Sequence, residues 1–380
     1  MIAPNTLQII VVGAGLIGPR HAFHITQNPQ TELFAIIDPN PNTASIAESF
    51  TTLYFPTIEK CMEYCTTNGI ACPDGAVVCV PNHLHVSVSA ELASYGIHLL
   101  VEKPIGSTVE EAKALKQYCA IKNVKVLVGH HRRFNPYIMC TKNNLHRVGE
   151  IVAVQGSWML SKPQDYFDVS PWRKDTVTGG GVLLINLIHD LDLLQYMFGK
   201  IQRIYAELLP QKRGHKADEG AALTIKFENG ITGTFICSDN VVSPFNFEAG
   251  TGENPTIPKH NDISGIYRIF GSKGTLSMPD LTLFHQSKHV ESSWTNPVIE
   301  SPIEIDIEKL PFDSQLDHFV DLIRENVDSP FCSIDDGISA LLCIDAVMKS
   351  IESGMPVQVA DVKSIVPDYE KLGIDKSIFN

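Results

Sequence analysis

Lys103 stands where a charged side chain can do chemistry. It follows the apolar run Leu99-Leu100-Val101 in the segment Glu102-Lys103-Pro104, at the carboxyl end of an expected strand. In an open parallel sheet that end faces the ligand crevice. An ammonium placed there can donate to a hydroxyl or carbonyl oxygen and polarise it during hydride transfer. Pro104 biases Lys103 towards extended backbone, which gives it a fixed aim. A solvated Glu–Lys pair is the other reading. Val77-Val78-Cys79-Val80 runs likewise into Pro81-Asn82-His83-Leu84-His85. Asn82 is there either a plain helix N-cap or an N-cap that also touches a cofactor. Val126-Leu127-Val128 runs into Gly129-His130-His131-Arg132-Arg133, which could contact cofactor or substrate, or line a hinge between domains. Farther on, Gly179-Gly180-Gly181 opens an apolar helical stretch in which Asn186 and His189 share a face at i, i+3.

Such chemistry needs a hydride carrier, and the N-terminus offers a place for one. Leu7-Gln8-Ile9-Ile10-Val11-Val12 ends in Gly13-Ala14-Gly15-Leu16-Ile17-Gly18, a Gly-x-Gly-x-x-Gly turn leading into a helical pattern. Gly13 suits a tight turn, Gly15 lets a pyrophosphate approach the backbone, and Gly18 lets helix and strand pack closely. The helix start offers free N–H groups and its positive dipole end to phosphates. Pro19 falls in the first turn, where a missing N–H costs little. A second run, Leu33 to Ile37, ends at Asp38, where a dinucleotide fold places the acid for the adenosine ribose diol. Asp38 would repel a 2′-phosphate, and no Lys or Arg follows it before Lys60, so NAD is expected over NADP.

The surrounding pattern is α/β. Strands are expected at 7–12, 31–37, 75–80, 98–101 and 124–129, with a short one near 52–54. Helices are expected at 16–28, 42–50, 58–66, 82–95 and 109–122. Nearly continuous apolar strands between helices imply a parallel sheet covered on both faces. From residue 130 the character changes. Strands at 151–158, 201–208, 221–227, 231–237, 267–270 and 275–278 form a mostly antiparallel sheet, with helices at 180–198, 315–326 and 334–353. Residues 239–265 form a long loop, of the kind that is usually functional or mobile. Two domains follow, 1–129 and 130–380.

Composition narrows the classes. The 380 residues are 44% hydrophobic and 19% charged, with a formal net charge of −13. That balance, with no basic run, argues against nucleic acid or an anionic membrane surface as a partner. No apolar run approaches the ~20 residues of a membrane span, and no leader pattern opens the chain. Nine cysteines, several within expected strands and helices, fit reduced thiols in the cytoplasm. Cys61, Cys65 and Cys72 lack a paired Cys-x-x-Cys arrangement, so no metal site is expected.

The glycine turn, Asp38, Pro81-Asn82-x-x-His85, Glu102-Lys103-Pro104, Arg133-Phe134 and the Gly-rich helix with His189 together resemble the glucose–fructose oxidoreductase/inositol dehydrogenase (Gfo/Idh/MocA) family. Gln315-x-x-His318-Phe319 and Ser353-Gly354-x-Pro356-Val357 resemble its closing helices. The resemblance implies an N-terminal Rossmann dinucleotide-binding domain and a C-terminal α+β domain with a large, mostly antiparallel open sheet. It implies a homodimer or homotetramer formed through that sheet, and NAD(P)-dependent oxidation of a secondary alcohol on a sugar, cyclitol or related polyol. It also implies a Lys and a His beside the alcohol, here Lys103 and His189, the His as proton acceptor. Asn186 joins them as a catalytic candidate. Cofactor contacts are implied for Gly13, Gly15, Leu16, Ile17, Gly18, Asp38, Pro81, Asn82, His85, Glu102, Lys103 and Arg132. Substrate contacts are implied for Lys103, Tyr166, Trp172, Arg173, Asn186 and His189. One position departs from the pattern: Ile185 stands where the family commonly has an Asp one turn before the His. Either Asn186 orients His189 instead, or Lys103 and His189 act alone. Ile185 is also the feature that fits a catalytically silent, dinucleotide-binding regulator of sugar response on the same fold.

Overall fold

The computed structural model describes residues 6–287, 289, 291–361 and 372–374. Its first unit is built on the expected strand–helix alternation. The elements are β1 (Leu7–Val12), α1 (Gly18–Gln27), β2 (Thr31–Ile37), α2 (Ala44–Ser49), β3 (Leu53–Phe55), α3 (Ile58–Asn68), β4 (Gly75–Val78), α4 (His85–Ser94), β5 (His98–Val101), α5 (Val109–Ile121) and β6 (Val126–Val128). The strands lie side by side in the order β3-β2-β1-β4-β5-β6, every pair parallel. Central residues such as Ile10, Val77 and Leu99 are wholly buried, as a sheet covered on both faces requires. Thr57 and Thr108 cap α3 and α5 by accepting the N–H groups of Lys60 and Glu111. Helix α1 begins two residues later than expected.

The second unit holds α6 (Pro136–Asn144), β7 (Ile151–Met159), α7 (Gln164–Asp168), a π-helical turn over Leu183–Leu187, and α8 (Ile188–Phe198). It continues with β8 (Ile201–Leu208), β9 (Gly220–Phe227), β10 (Thr232–Ser238), α9 (Phe247–Thr251), β11 (Tyr267–Gly271), β12 (Gly274–Met278), β13 (Thr282–His285) and β14 (Ile299–Pro302). Next in the chain come α10 (Pro311–Ile323), which returns to the first unit, α11 (Ile334–Ser353), which begins in the first unit and ends in the second, and β15 (Val357–Gln358) in the second. Nine strands form one sheet in the order β14-β13-β12-β11-β7-β10-β9-β8-β15. All its pairs are antiparallel except β7 with β10, whose carboxyl ends therefore reach the same edge. Along β10 burial alternates residue by residue, so one face of the sheet is packed and the other open.

The chain does not divide at a single cut after 129. The first unit extends to His131 and also takes in Phe312–Ile338, while the second holds Arg132–Pro311 and the stretch from Ser339. Helix α10 belongs to the first unit because its apolar face needs that core: a side chain at Gly75 would collide with Phe319. Polar contacts reinforce the return, His24 to Asp313 at 2.6 Å and Asn28 to Asp317 at 2.8 Å. The stretch Thr176–Phe198 is apolar and long enough by composition to cross a membrane, yet 67% of its 18-residue apolar window is buried inside the fold.

Candidate active site

At the end of β1 the three glycines have different reasons to be glycine. Gly13 has φ +96, and a Cβ there would strike Cys79 backbone; one at Gly18 would strike the Gly13 carbonyl oxygen at 2.0 Å. Packing therefore demands both. A Cβ at Gly15 would meet nothing within 4 Å, so the space beside it is open to something other than protein. Helix α1 has no side-chain cap, and in its first turn Pro19 has no N–H while those of Arg20 and His21 go to the Ile17 carbonyl, which leaves the Gly18 N–H for an anion. Leu16, beside it, is 84% exposed. Asp38 is anchored at the end of β2: Oδ2 accepts the Ala14 N–H at 2.7 Å and Oδ1 the Asn40 N–H at 2.9 Å. The Tyr54 hydroxyl donates to the Asp38 carbonyl at 2.8 Å, which steadies the same turn.

The ends of β4 and β5 form a second group. Pro81 is exposed and Asn82 half-buried, and Asn82 opens a 3-10 turn rather than capping α4, whose N-cap is Leu84 without a side-chain bond. His85 departs from the expected cofactor contact. Its ring lies 2.6 Å from the Pro104 carbonyl oxygen at Nδ1 and 2.9 Å from that of Val80 at Nε2, so it ties two loops together. Burial lowers its pKa, against the pull of the Pro104 carbonyl and Glu102. Glu102 differs in the same way. It is buried, with one oxygen 2.8 Å from His21 Nε2 and the other accepting the Lys103 N–H at 3.2 Å. Burial would raise its carboxyl, but the His21 hydrogen bond and the charges of His21, His131 and Lys103 outweigh that and hold it at about 2. Glu102 is thus a permanent anion that fixes the backbone of Lys103. His21 was not legible as part of this group, since 81 residues separate it from Glu102.

In the second unit the parallel pairing of β7 with β10 brings Lys162 and Asp239, each just past a strand end, to one edge. Lys162 Nζ lies 3.2 Å from Asp239 Oδ2 and donates to Asn186 Oδ1 at 2.6 Å. Asn186 lies in the π turn, where the Ile188 N–H reaches back to the Leu183 carbonyl. The interval from Asn186 to His189 therefore crosses from π to α geometry and is not the plain α turn expected. Such turns recur at functional sites. His189 is 5% exposed. Asp218 accepts the Leu183 N–H at 2.8 Å, and burial pushes its carboxyl up to about 6 against that bond. Arg173 lies over the Tyr166 ring and gives a hydrogen bond to the Tyr166 carbonyl at 2.7 Å. Gly180 seats on the Trp172 and Arg173 carbonyls, which a Cβ would strike at 2.7 and 2.6 Å. The glycine run thus joins the Tyr166–Arg173 segment to the helix carrying His189. Lys162 and Asp239 are the additions here; their position after strands was the available signal.

Arg132 and Arg133 are both engaged with carboxylates of the second unit. Arg133 grips Asp192 through two bonds of 2.9 and 2.7 Å. Arg132, 3% exposed, pairs with Glu248 and lies 3.5 Å from Glu253 and 3.7 Å from Asp190. Tyr267 donates to Asp190, and Trp158 donates to Glu248 at 2.8 Å. The expected cofactor contact of Arg132 is replaced by this internal cluster, because a buried guanidinium is held by the charges that neutralise it. Burial raises Asp190 to about 7, against the attraction of Arg132. His131 instead belongs to the first unit, stacked on Phe312 at 4.6 Å. All nine cysteines are free, and no cluster of metal ligands occurs among the described residues.

A parallel six-stranded sheet with a glycine turn after β1, an Asp after β2 and a Lys after β5 is the arrangement of a dinucleotide-binding fold. The chain belongs to the Gfo/Idh/MocA oxidoreductase family. It matches the family's NAD-binding Rossmann fold over residues 7–130 and its C-terminal alpha/beta domain over 142–359. It is 26% identical to scyllo-inositol 2-dehydrogenase (NAD(+)) of Bacillus subtilis (strain 168), over 94% of this chain and 98% of that one. It is 22% identical to inositol 2-dehydrogenase of Rhizobium meliloti (strain 1021), over 93% and 100%. Its fold is that of an oxidoreductase from Agrobacterium radiobacter solved with NAD+, L-tartaric acid and magnesium (TM-score 0.76, 15% identity, 93% and 98% covered). The protein is an oxidoreductase acting on CH–OH groups of a small molecule, with NAD as cofactor. The open space at Gly15 and the uncapped start of α1 fit a pyrophosphate.

Proposed function

We propose that the protein interconverts a secondary alcohol and the corresponding ketone on a sugar, cyclitol or related polyol. The observation that carries this is Lys103, whose N–H is held by the buried, ionised Glu102 at the end of β5, in the same parallel sheet as the dinucleotide cradle. The inositol dehydrogenase relatives support the substrate class. NAD, when bound, accepts or returns the hydride. Gly13, Gly15, Leu16, Ile17 and Gly18 would hold its pyrophosphate, Asp38 its adenosine ribose, and Pro81 and Asn82 would border it. The Lys103 ammonium hydrogen-bonds and polarises the substrate oxygen. His189 takes the alcohol proton as base, and returns it in the reverse direction. Asn186 has its amide oxygen engaged by Lys162, so its N–H₂ is the group left to donate to a substrate hydroxyl. Tyr166, Trp172 and Arg173 line the substrate side.

The free thiols suit a reducing, cytoplasmic setting. The open face of the nine-stranded sheet carries Ile236 and Phe270 partly exposed, and we assign it to association of identical chains as a dimer or tetramer. Light scattering of the purified protein tests that assignment; a monomer refutes it. The activity itself is tested by incubating the protein with NAD and a panel of inositols, sugars and alditols while following the absorbance of reduced nicotinamide. Turnover of at least one polyol, lost in Lys103→Met, is expected. Tight NADH binding with no turnover of any polyol, in either direction, would overturn the reading.

A further inference from the structure

Two cations share one aromatic ring in the second unit. Lys162 Nζ lies 4.8 Å and Arg173 Cζ 3.9 Å from the centre of the Tyr166 ring. Their anionic support is thin. Lys162 is 9% exposed, and its carboxylate, Asp239, is shared with Arg213 at 2.6 Å. Arg173 pairs with no carboxylate among the described residues, and its buried Nε meets no acceptor. An ammonium has three N–H donors, of which Asn186 and Asp239 take two. A guanidinium has five in a planar fork, of which the Tyr166 carbonyl takes one. Buried donors left without acceptors are costly, so the arrangement calls for an outside acceptor.

The acceptor's chemistry follows from the donors. A planar fork matches a planar, two-oxygen anion bidentately, and an ammonium adds a point charge. The half-exposed Trp172, whose ring lies 5.5 Å from Arg173, offers a face for a carbon skeleton. Asp239 beside Lys162 disfavours a dianion such as a phosphate monoester. We propose that Lys162 and Arg173 read a carboxylate on the substrate, so that the polyol is a sugar acid rather than a neutral sugar. This rests on the polyol reaction proposed above and narrows it.

The test compares D-gluconate with D-glucitol and D-glucuronate with D-glucose. It uses wild-type protein, Lys162→Met, Arg173→Met and the charge-keeping Lys162→Arg and Arg173→Lys. The wild type should favour the acid of a pair by at least ~10-fold in kcat/KM. Each Met variant should lower that acid-to-neutral ratio by roughly 10-fold or more, and the charge-keeping variants should recover part of it. Preference for the neutral member, or a ratio unmoved in both Met variants, overturns the carboxylate site and leaves the polyol reaction standing. Preference for D-glucose 6-phosphate over D-glucuronate overturns it too. If no polyol is turned over, calorimetry on the NADH-loaded protein separates the two claims. Tighter D-gluconate than D-glucitol binding, lost in Arg173→Met, supports the anion site and fails the reaction. Equal binding of both fails the site as well.

Discussion

Asp190→Asn probes the charge cluster that holds helix α8. One guanidinium, Arg132, faces three carboxylates there, Glu248, Glu253 and Asp190, in a region closed to water. Burial places the folded Asp190 carboxyl at about 7, whereas an unfolded Asp titrates near ~3.9. A folded pKa above the unfolded one means that the native state binds the extra proton between those values. Stability is then greatest on the acid side and falls as pH rises from about 4 to 7. At ~1.36 kcal/mol per unit, the two units between pH 5 and 7 amount to about 3 kcal/mol. The Asn amide mimics the protonated acid, keeps an oxygen for the Tyr267 hydroxyl and does not titrate. The stability of Asp190→Asn relative to wild type should therefore rise by about 3 kcal/mol from pH 5 to pH 8. Urea denaturation of both proteins across that range, followed through the buried Trp158, measures it. Parallel pH curves for the two proteins would show that Asp190 takes up no proton on folding and would sink the argument.

Four further outcomes follow from the site. Asp38→Ala should lower the NAD-to-NADP ratio of binding constants by ~10-fold or more, because it removes the ribose acceptor and the charge that repels a 2′-phosphate; a ratio unaltered in calorimetry refutes that role. Lys103→Met should cut turnover by ~10²-fold or more with NADH binding largely kept, and unchanged turnover would remove Lys103 from the reaction. His189→Ala should nearly abolish oxidation while Asn186→Ala costs less. Ile185→Asp should move the acidic limb of the rate profile to higher pH, since a nearby carboxylate raises an imidazole's pKa. Near-normal turnover in His189→Ala, with its pH profile unchanged, would shift the proton acceptor elsewhere.

Much of the first unit was decided locally and could be read from the residues. Strands buried on both faces must be apolar throughout, so runs such as Leu7–Val12 and Leu99–Val101 announce themselves, and the glycines at 13, 15 and 18 mark the turn between them and the helix. In the second unit, alternation exposed β7 to β12, but β13, β14 and β15 escaped. Two of them have only four residues and one has two, too few for a period to show. The π turn escaped because it differs from an α turn by one backbone bond, not by composition.

What only the tertiary structure decided were the pairings across long sequence separations. Local pattern cannot show that α10 packs with the first unit, since an amphipathic helix specifies an apolar face and not which core covers it. Charged residues posed the same difficulty. Arg132 and Arg133 read as a basic pair after a strand, which suits a ligand as well as a fold. Their carboxylates lie 116 and 59 positions away in Glu248 and Asp192, and it is burial beside those acids that makes the arginines structural. His21 with Glu102, and Lys162 with Asn186 and Asp239, were joined for the same reason. A side chain's chemistry is set by its residue type, but its role is set by which partners the folded chain places within hydrogen-bond reach, and sequence spacing carries no record of that distance.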